Sequence, residues 1–133
     1  MSMMSDMMQS MPATDMGMQM DMAMMQECME ACSAVSQAAT MCADADSSED
    51  MGRCASMCMN MADVSMAMMR MMMRPRGYDM DSMQAMMTAT MTMGMNCAAE
   101  CREHAEMADH CRICAMACDA MVASMKRMMD SMA

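Results

Sequence analysis

Residues 101–118 read CREHAEMADHCRICAMAC, which sets Cys101, His104, His110, Cys111, Cys114 and Cys118 within one short stretch. Thiolates and imidazoles at this density are soft-metal ligands, and no leucine or phenylalanine stands among them to build an ordinary core. The pattern recurs along the chain. Cys-x-x-x-Cys occurs as CMEAC (28–32), CASMC (54–58), CAAEC (97–101) and CAMAC (114–118), with Cys42 and Cys111 in addition. A spacing of four places both sulfurs on one face of a helix, one turn apart, so that a pair can bridge or linearly ligate one soft ion.

Three chemistries could use these thiols. A disulfide within one helix fits this spacing poorly, although bridges between neighbouring helices are feasible. Structural zinc prefers spacings such as Cys-x-x-Cys, present only in CRIC (111–114). Cu(I) is soft, accepts two or three sulfurs, and takes both thiolate and thioether. Only Cu(I) accounts for the cysteines together with the 38 methionines. Several Cu(I) ions per chain are therefore expected. A disulfide-stapled structural or chaperone-like bundle and a zinc–thiolate protein stand as the alternatives.

The elements that must position these ligands are helices. The 133 residues suffice for one domain with a modest core. Leucine, phenylalanine and tryptophan are absent, and Ile113, Tyr78 and three valines are the only other large hydrophobics. Methionine, alanine and cysteine must fill the interior. Methionine has a helix propensity near that of leucine, and few residues remain to favour strands. Breakers fall at MPATDMG (11–17), the polar run ADADSSED (43–50) and RPRGYD (74–79). They predict a Met-rich tail over 1–17 and a bundle over 18–133, with helices near 18–44, 49–73, 79–106 and 109–132. The tail reads as mobile, with a metal-capturing arm coiled into a short helix as the alternative. Ser47 or Ser48, Asp79 or Asp81, and Asp109 are the candidate N-caps.

Seams at alternating steps of three and four support an all-α, antiparallel up-down four-helix bundle. They run through 28, 32, 35, 39 and 42; through 51, 54, 58, 61, 65, 68 and 72; more loosely through 83, 87, 90, 94, 97, 101 and 104; and through 111, 114, 118, 121, 125, 128 and 132. Up-down connection then makes the core two-toned. Cys42, Cys54, Cys58, Cys97, Cys101, Cys111, Cys114 and Cys118 share one end. Cys32 and Cys28 follow about 15 and 21 Å below Cys42, at ~1.5 Å rise per residue. The other end receives Met18, Met22, Met25, Met68, Met72, Met83, Met87, Met125, Met128 and Met132; all of these but Met18 and Met132, with Met61 and Met121 from the seams, are the candidate thioether ligands. Thiolate is anionic and tolerates burial once metal neutralises it, whereas thioether is neutral and packs without metal. Met24, Met59 and Met116 read as outward-facing. His104 and His110 bracket the last turn and are candidate ligands at the mouth of the cysteine end; imidazole binds Cu(I) without deprotonation above a pKa near ~6.5.

Other classes fit less well. A formal net charge of −10 and a single aromatic argue against nucleic acid. No apolar run reaches the ~20 residues that span a bilayer. A ferritin-like di-iron site needs Glu-x-x-His, which is absent, and a Cys101–His104 hydrolase lacks an orienting partner. No enzymatic role is expected.

CREHAEMADHCRICAMAC (101–118) resembles the signature of the four-helix-bundle copper storage proteins, and the likeness extends over residues 18–132. The resemblance implies an antiparallel four-helix bundle, usually a homotetramer, with cysteines lining a core that holds many Cu(I) ions, and histidines as ligands at its mouth. A copper-donating or copper-accepting protein is the candidate partner besides copper itself. This chain departs from the family by carrying methionine at many seam positions. Ten reduced cysteines suit the cytosol, whereas methionine in place of cysteine suits an oxidising space. No secretory leader is recognised at the N-terminus. The methionine tail tilts the expectation slightly towards export, with the cytosol as the alternative.

Overall fold

Long stretches of methionine, alanine, glutamine and glutamate without proline favour helix, and helices are what form. The computed structural model describes residues 3–10, 21–77 and 79–132. The elements are α1 (Met3–Ser10), α2 (Met22–Ser47), α3 (Gly52–Met72), a 3-10 turn (Pro75–Gly77), α4 (Met80–Arg102) and α5 (Asp109–Ser131). The expected break at 11–17, the helix start at 18–20 with Met18, and Tyr78 lie outside the described residues. Among the described residues every element is helical.

Four helices form a closed ring, α2 against α3, α3 against α4, α4 against α5 and α5 against α2. Cross-helix contacts fix their directions. Cys54 at the start of α3 meets Cys101 at the end of α4, and Cys42 near the end of α2 meets Cys111 at the start of α5. At the opposite end Arg127 of α5 pairs with Glu27 of α2. The bundle is antiparallel up-down.

The seams are the core. Every expected seam position from 28 to 42 is buried, as are 54 to 72 on α3, 83 to 101 on α4 and 111 to 128 on α5. Met51, His104 and Met132 close the series half-buried. Fully burying one such methionine contributes roughly 1.5–3 kcal/mol, so the thioether end has a driving force of its own. Between the two ends Ser65, Thr90 and Ser124 are also buried. Ser65 donates to the Ala62 carbonyl and Thr90 to the Met86 carbonyl, which removes the cost of an orphaned hydroxyl. Gly94 lies on the same stretch of α4. A Cβ there would come within 2.6 Å of Met121 Cε and 3.0 Å of Val122 Cγ2, so its bareness lets α5 approach. Outside the ring, α1 packs on α2 and buries Met8.

The helix ends differ from expectation. Helix α2 continues to Ser47, through part of the polar run, and the chain reverses at Asp50 with a left-handed φ of 58°. Aspartate tolerates that conformation better than most residues. Ser47 and Ser48 do not cap α3; their hydroxyls donate back to the Asp44 and Ala45 carbonyls. The N-cap of α3 is Met51, without a side-chain bond. Asp79 is the N-cap of α4, but its carboxylate accepts from the Ser82 hydroxyl. Ala108, not Asp109, precedes α5. Helix α4 stops at Arg102 rather than 106, because turn bonds such as His104 N–H to the Cys101 carbonyl tighten the chain for its return. Among the described residues the N-terminal side-chain cap that does form is on α2, where Asp21 Oδ1 accepts from Ala23 N at 2.8 Å and Met24 N at 3.3 Å. Asp21→Ala should cost about 1 kcal/mol, read as a lower Tm of the metal-free protein.

Candidate metal centre

All ten cysteines are buried and free, so no disulfide staples the bundle. Their sulfurs gather where α2, α3, α4 and α5 share the cysteine end. Cys58 Sγ lies 3.9 Å from Cys97, 3.7 Å from Cys101 and 3.9 Å from Cys114. Cys54 is 3.8 Å from Cys101. Three thiolates around one metal, each at about 2.3 Å, stand about 4.0 Å apart in a trigonal plane. The sulfurs therefore already sit at distances that bound metal would demand.

Two four-sulfur groups result, Cys42–Cys54–Cys58–Cys101 and Cys58–Cys97–Cys101–Cys114, and they share Cys58 and Cys101. Shared thiolates favour a linked polynuclear cluster over two separate tetrahedral zinc sites, each of which would need its own four ligands. Cys118 extends the second group beside Cys97 and Cys114. Cys28 and Cys32 stand apart as a neighbouring pair on α2, with the Ser124 hydroxyl against Cys28.

At the mouth of this end is a group that mixes ligand types. Cys42, Asp46, His110 and Cys111 bring one ligand atom each within 4.8 Å of one another. His110 Nδ1 is 3.3 Å from Cys42 Sγ, and its Nε2 is 2.6 Å from Glu49 Oε1. With Nε2–H donating to Glu49, the Nδ1 lone pair faces the sulfurs, the orientation a metal ligand needs. Asp46 is fully buried, with Oδ1 3.6 Å from Cys111 Sγ. The sequence reading assigned roles to neither Asp46 nor Glu49. Asp46 carried a signal nonetheless: it stands four residues after Cys42, hence on the same helix face, within a run that read as a loop. His104 is placed differently from His110. Its Nε2 meets Glu100 Oε2 at 3.0 Å, Glu103 completes a small carboxylate–imidazole group, and Arg53 Nε holds Glu100 Oε1 at 2.9 Å.

The electrostatics follow from burial and sulfur neighbours. Desolvation raises the thiols of Cys42 and Cys54 and pushes Cys111 up to about 11. Deeper in, S–H donation from Cys101, then Cys114 and Cys118, holds Cys97 down, while Cys114 is raised by its bonds to the same neighbours. Bonds from Cys114 and Cys58 hold Cys101 down as well, so the cluster shares its protons unequally, with thiolate favoured at Cys97 and Cys101 and the proton held at Cys114 until a cation displaces it. At the mouth, the bond to His104, then that to Arg53, holds the Glu100 carboxyl below its usual range.

The remaining candidates run from mid-bundle, where Met61 and Met121 lie, to the other end. Met25, Met61, Met68, Met72, Met83, Met87, Met121, Met125 and Met128 are buried, and Met22 is half-buried against the core. Met59 and Met116 are exposed as expected, and Met24 is half-buried.

The interior of this four-helix bundle is thiol at one end and thioether at the other, and its thiols meet at metal-ligand distances. The family model for the copper storage proteins matches residues 15–130, and the chain belongs to that family. The copper storage protein Ccsp from Streptomyces lividans, in a structure loaded with 10 copper equivalents, is 33% identical with a TM-score of 0.89, covering 96% of this chain and 98% of that one. A further structure shows copper loading, with five coppers, to a cytosolic copper storage protein of the same organism; it is 32% identical with a TM-score of 0.77, covering 90% of this chain and 98% of that one. No curated protein matches the sequence. The cytosolic description of this relative overturns the slight preference for export. That preference rested on methionine's resistance to oxidation, and thioethers serve a reduced core equally well because they need no deprotonation to bind or to pack. Among the described residues no helix is long and apolar enough to cross a membrane.

Proposed function

We propose that the protein sequesters several Cu(I) ions inside the bundle of the cytosolic chain, without turnover chemistry, through its ten cysteines and a subset of its core methionines. The observation that carries this reading is the pair of four-sulfur groups joined through Cys58 and Cys101. Copper enters past His110, with Asp46 and Glu49 orienting the imidazole and balancing charge, while His104 and Glu100 guard the opposite lip of the same end. Thiolate sites fill first, because charge adds to softness and each Cu(I) relieves the cost of a buried thiolate. Met25, Met61, Met68, Met72, Met83, Met87, Met121, Met125 and Met128, with Met22 at the rim, supply weaker, neutral ligands below. Homotetramer assembly and a protein copper donor or acceptor belong to this proposal, in keeping with the family.

The test is a Cu(I) titration of the reduced protein against a competing chelator, with zinc offered at equal supply. Cu(I) should win, with several equivalents held tightly; preferential zinc uptake refutes the reading. The thioether part has its own test. Replacing Met68, Met72, Met125 and Met128 by leucine should remove weak sites from the core at a stability cost below about 1.5 kcal/mol per swap, since the volumes are similar. Unchanged copper uptake in that variant makes these methionines packing alone.

A further inference from the structure

We propose that the cleft between α1, α2 and α3 is a separate, all-thioether site for Cu(I) on the outside of the bundle. It rests on the reading that the cargo is Cu(I), but uses none of the core ligands. The cleft has a volume of about 280 Å³ and is lined by Met4 from α1, Met29 from α2, and Met69 and Met73 from the end of α3, together with Gln26, Glu30 and Ser33 of α2.

These methionines are not the ones that fill the seams. Positions 29, 69 and 73 each directly follow a buried seam residue, Cys28, Met68 and Met72. They form a second sulfur stripe along the groove between α2 and α3. Met69 and Met73 are four apart, so they lie one turn from each other on one face, as the cysteines of each Cys-x-x-x-Cys pair do. Met4 and Met8 repeat that spacing on α1. Met8 is buried and anchors α1 on α2, while half-buried Met4 lines the cleft.

What sets this groove apart in a chain without leucine is convergence, since three different helices bring methionine to one cleft. Methionine has three rotatable bonds and a polarizable sulfur, so several thioethers can turn into one cavity. Cu(I) accepts this neutral donor set. The Glu30 carboxylate, which accepts from Gln26 Nε2 at 3.1 Å, also lines the cleft and supplies a compensating negative charge. Because thioethers carry no proton, metal binds here without proton release. It binds more weakly than at the thiolates and exchanges faster. Thirteen residues of helix separate Met29 from Cys42, about 20 Å at ~1.5 Å per residue, so the cleft lies at the end remote from His110.

The test uses the reduced full chain carrying ¹³C-methyl methionine, titrated with Cu(I) from a chelator of moderate strength. Core loading is read separately as thiolate-to-copper absorbance in the ultraviolet. The ε-methyl resonances of Met4, Met29, Met69 and Met73 should shift together in one step, after the thiolate absorbance has saturated. The Met4→Leu, Met69→Leu, Met73→Leu variant should lose that step and keep the thiolate absorbance and the helical circular dichroism of the parent. The proposal is overturned if the four resonances stay fixed once the core is full, or move at unrelated copper ratios. The parent titration decides this even if the triple variant folds poorly. Absence of thiolate absorbance would instead refute the storage reading itself.

Discussion

Replacing Cys58 and Cys101 together by serine should cost this protein most of its tight copper, far out of proportion to two ligands among ten. Both residues belong to both four-sulfur groups, so the double variant leaves neither group with more than two thiols. What remains is the mixed group of Cys42, Asp46, His110 and Cys111, Cys54 beside it, the remnant of Cys97, Cys114 and Cys118, and the Cys28–Cys32 pair. Affinity at the cluster should fall by at least about 10–100-fold, since loss of an outer-shell partner alone brings that much and here bridging ligands are removed. Serine keeps the shape of cysteine, and its hydroxyl can donate to a carbonyl in the preceding turn, as Ser65 and Thr90 do here. The fold should therefore survive. Cys28→Ser with Cys32→Ser removes the same number of thiols and provides the control; it should cost only the copper held by that pair. Competition titrations of the two variants side by side decide the matter. Equal losses would mean that the thiols act as independent pairs and that no linked cluster forms.

Loading with Cu(I) should raise Tm strongly, and most of all at alkaline pH. The folded Cys111 thiol sits at about 11 against an ordinary 9.0, because burial disfavours its thiolate. A group whose pKa is raised on folding lends stability that is complete below pH 9 and is lost as pH climbs through 11, since the unfolded chain gives up the proton first. For Cys111 alone that loss is on the order of 2–3 kcal/mol, and burial moves Cys42 and Cys54 in the same direction. The metal-free protein should thus become steadily less stable between pH 9 and 11. Bound Cu(I) takes the place of the proton, so the loaded protein should be nearly indifferent to pH over that window. Each site adds about 4.1 kcal/mol when free metal stands a thousand-fold above Kd, so loading at pH 7 should raise Tm by at least about 10 °C. Melts followed by circular dichroism with a non-thiol reductant, with and without copper, give both quantities. A metal-free protein unfolded at pH 7 would contradict the claim that the methionine end packs by itself, and a loaded protein as alkali-sensitive as the metal-free one would mean the thiols are not the ligands.

The helices, their antiparallel order and the division of the core into thiol and thioether ends were determined by the sequence alone. The reason is physical: buried positions recur every three to four residues, and cysteine marked them where methionine, present on every face, could not. Cys42, Cys54, Cys58, Cys97, Cys101, Cys111, Cys114 and Cys118 could be assigned to one end from connectivity and helical rise. Tertiary structure decided what spacing along one chain cannot express. It made Cys58 and Cys101 common to two groups, because those sulfurs face across the ring between α3 and α4. It left Cys28 and Cys32 as a pair, because the opposite positions there hold hydroxyls and thioethers. It separated the two histidines, which look equivalent in sequence: ending α4 at Arg102 turns His104 to Glu100, while the first turn of α5 aims His110 at Cys42. It also drew Asp46 inside. A carboxylate in a polar run reads as a loop residue, and only the continuation of α2 to Ser47 carries it one turn beyond Cys42 and into the sulfur-lined mouth.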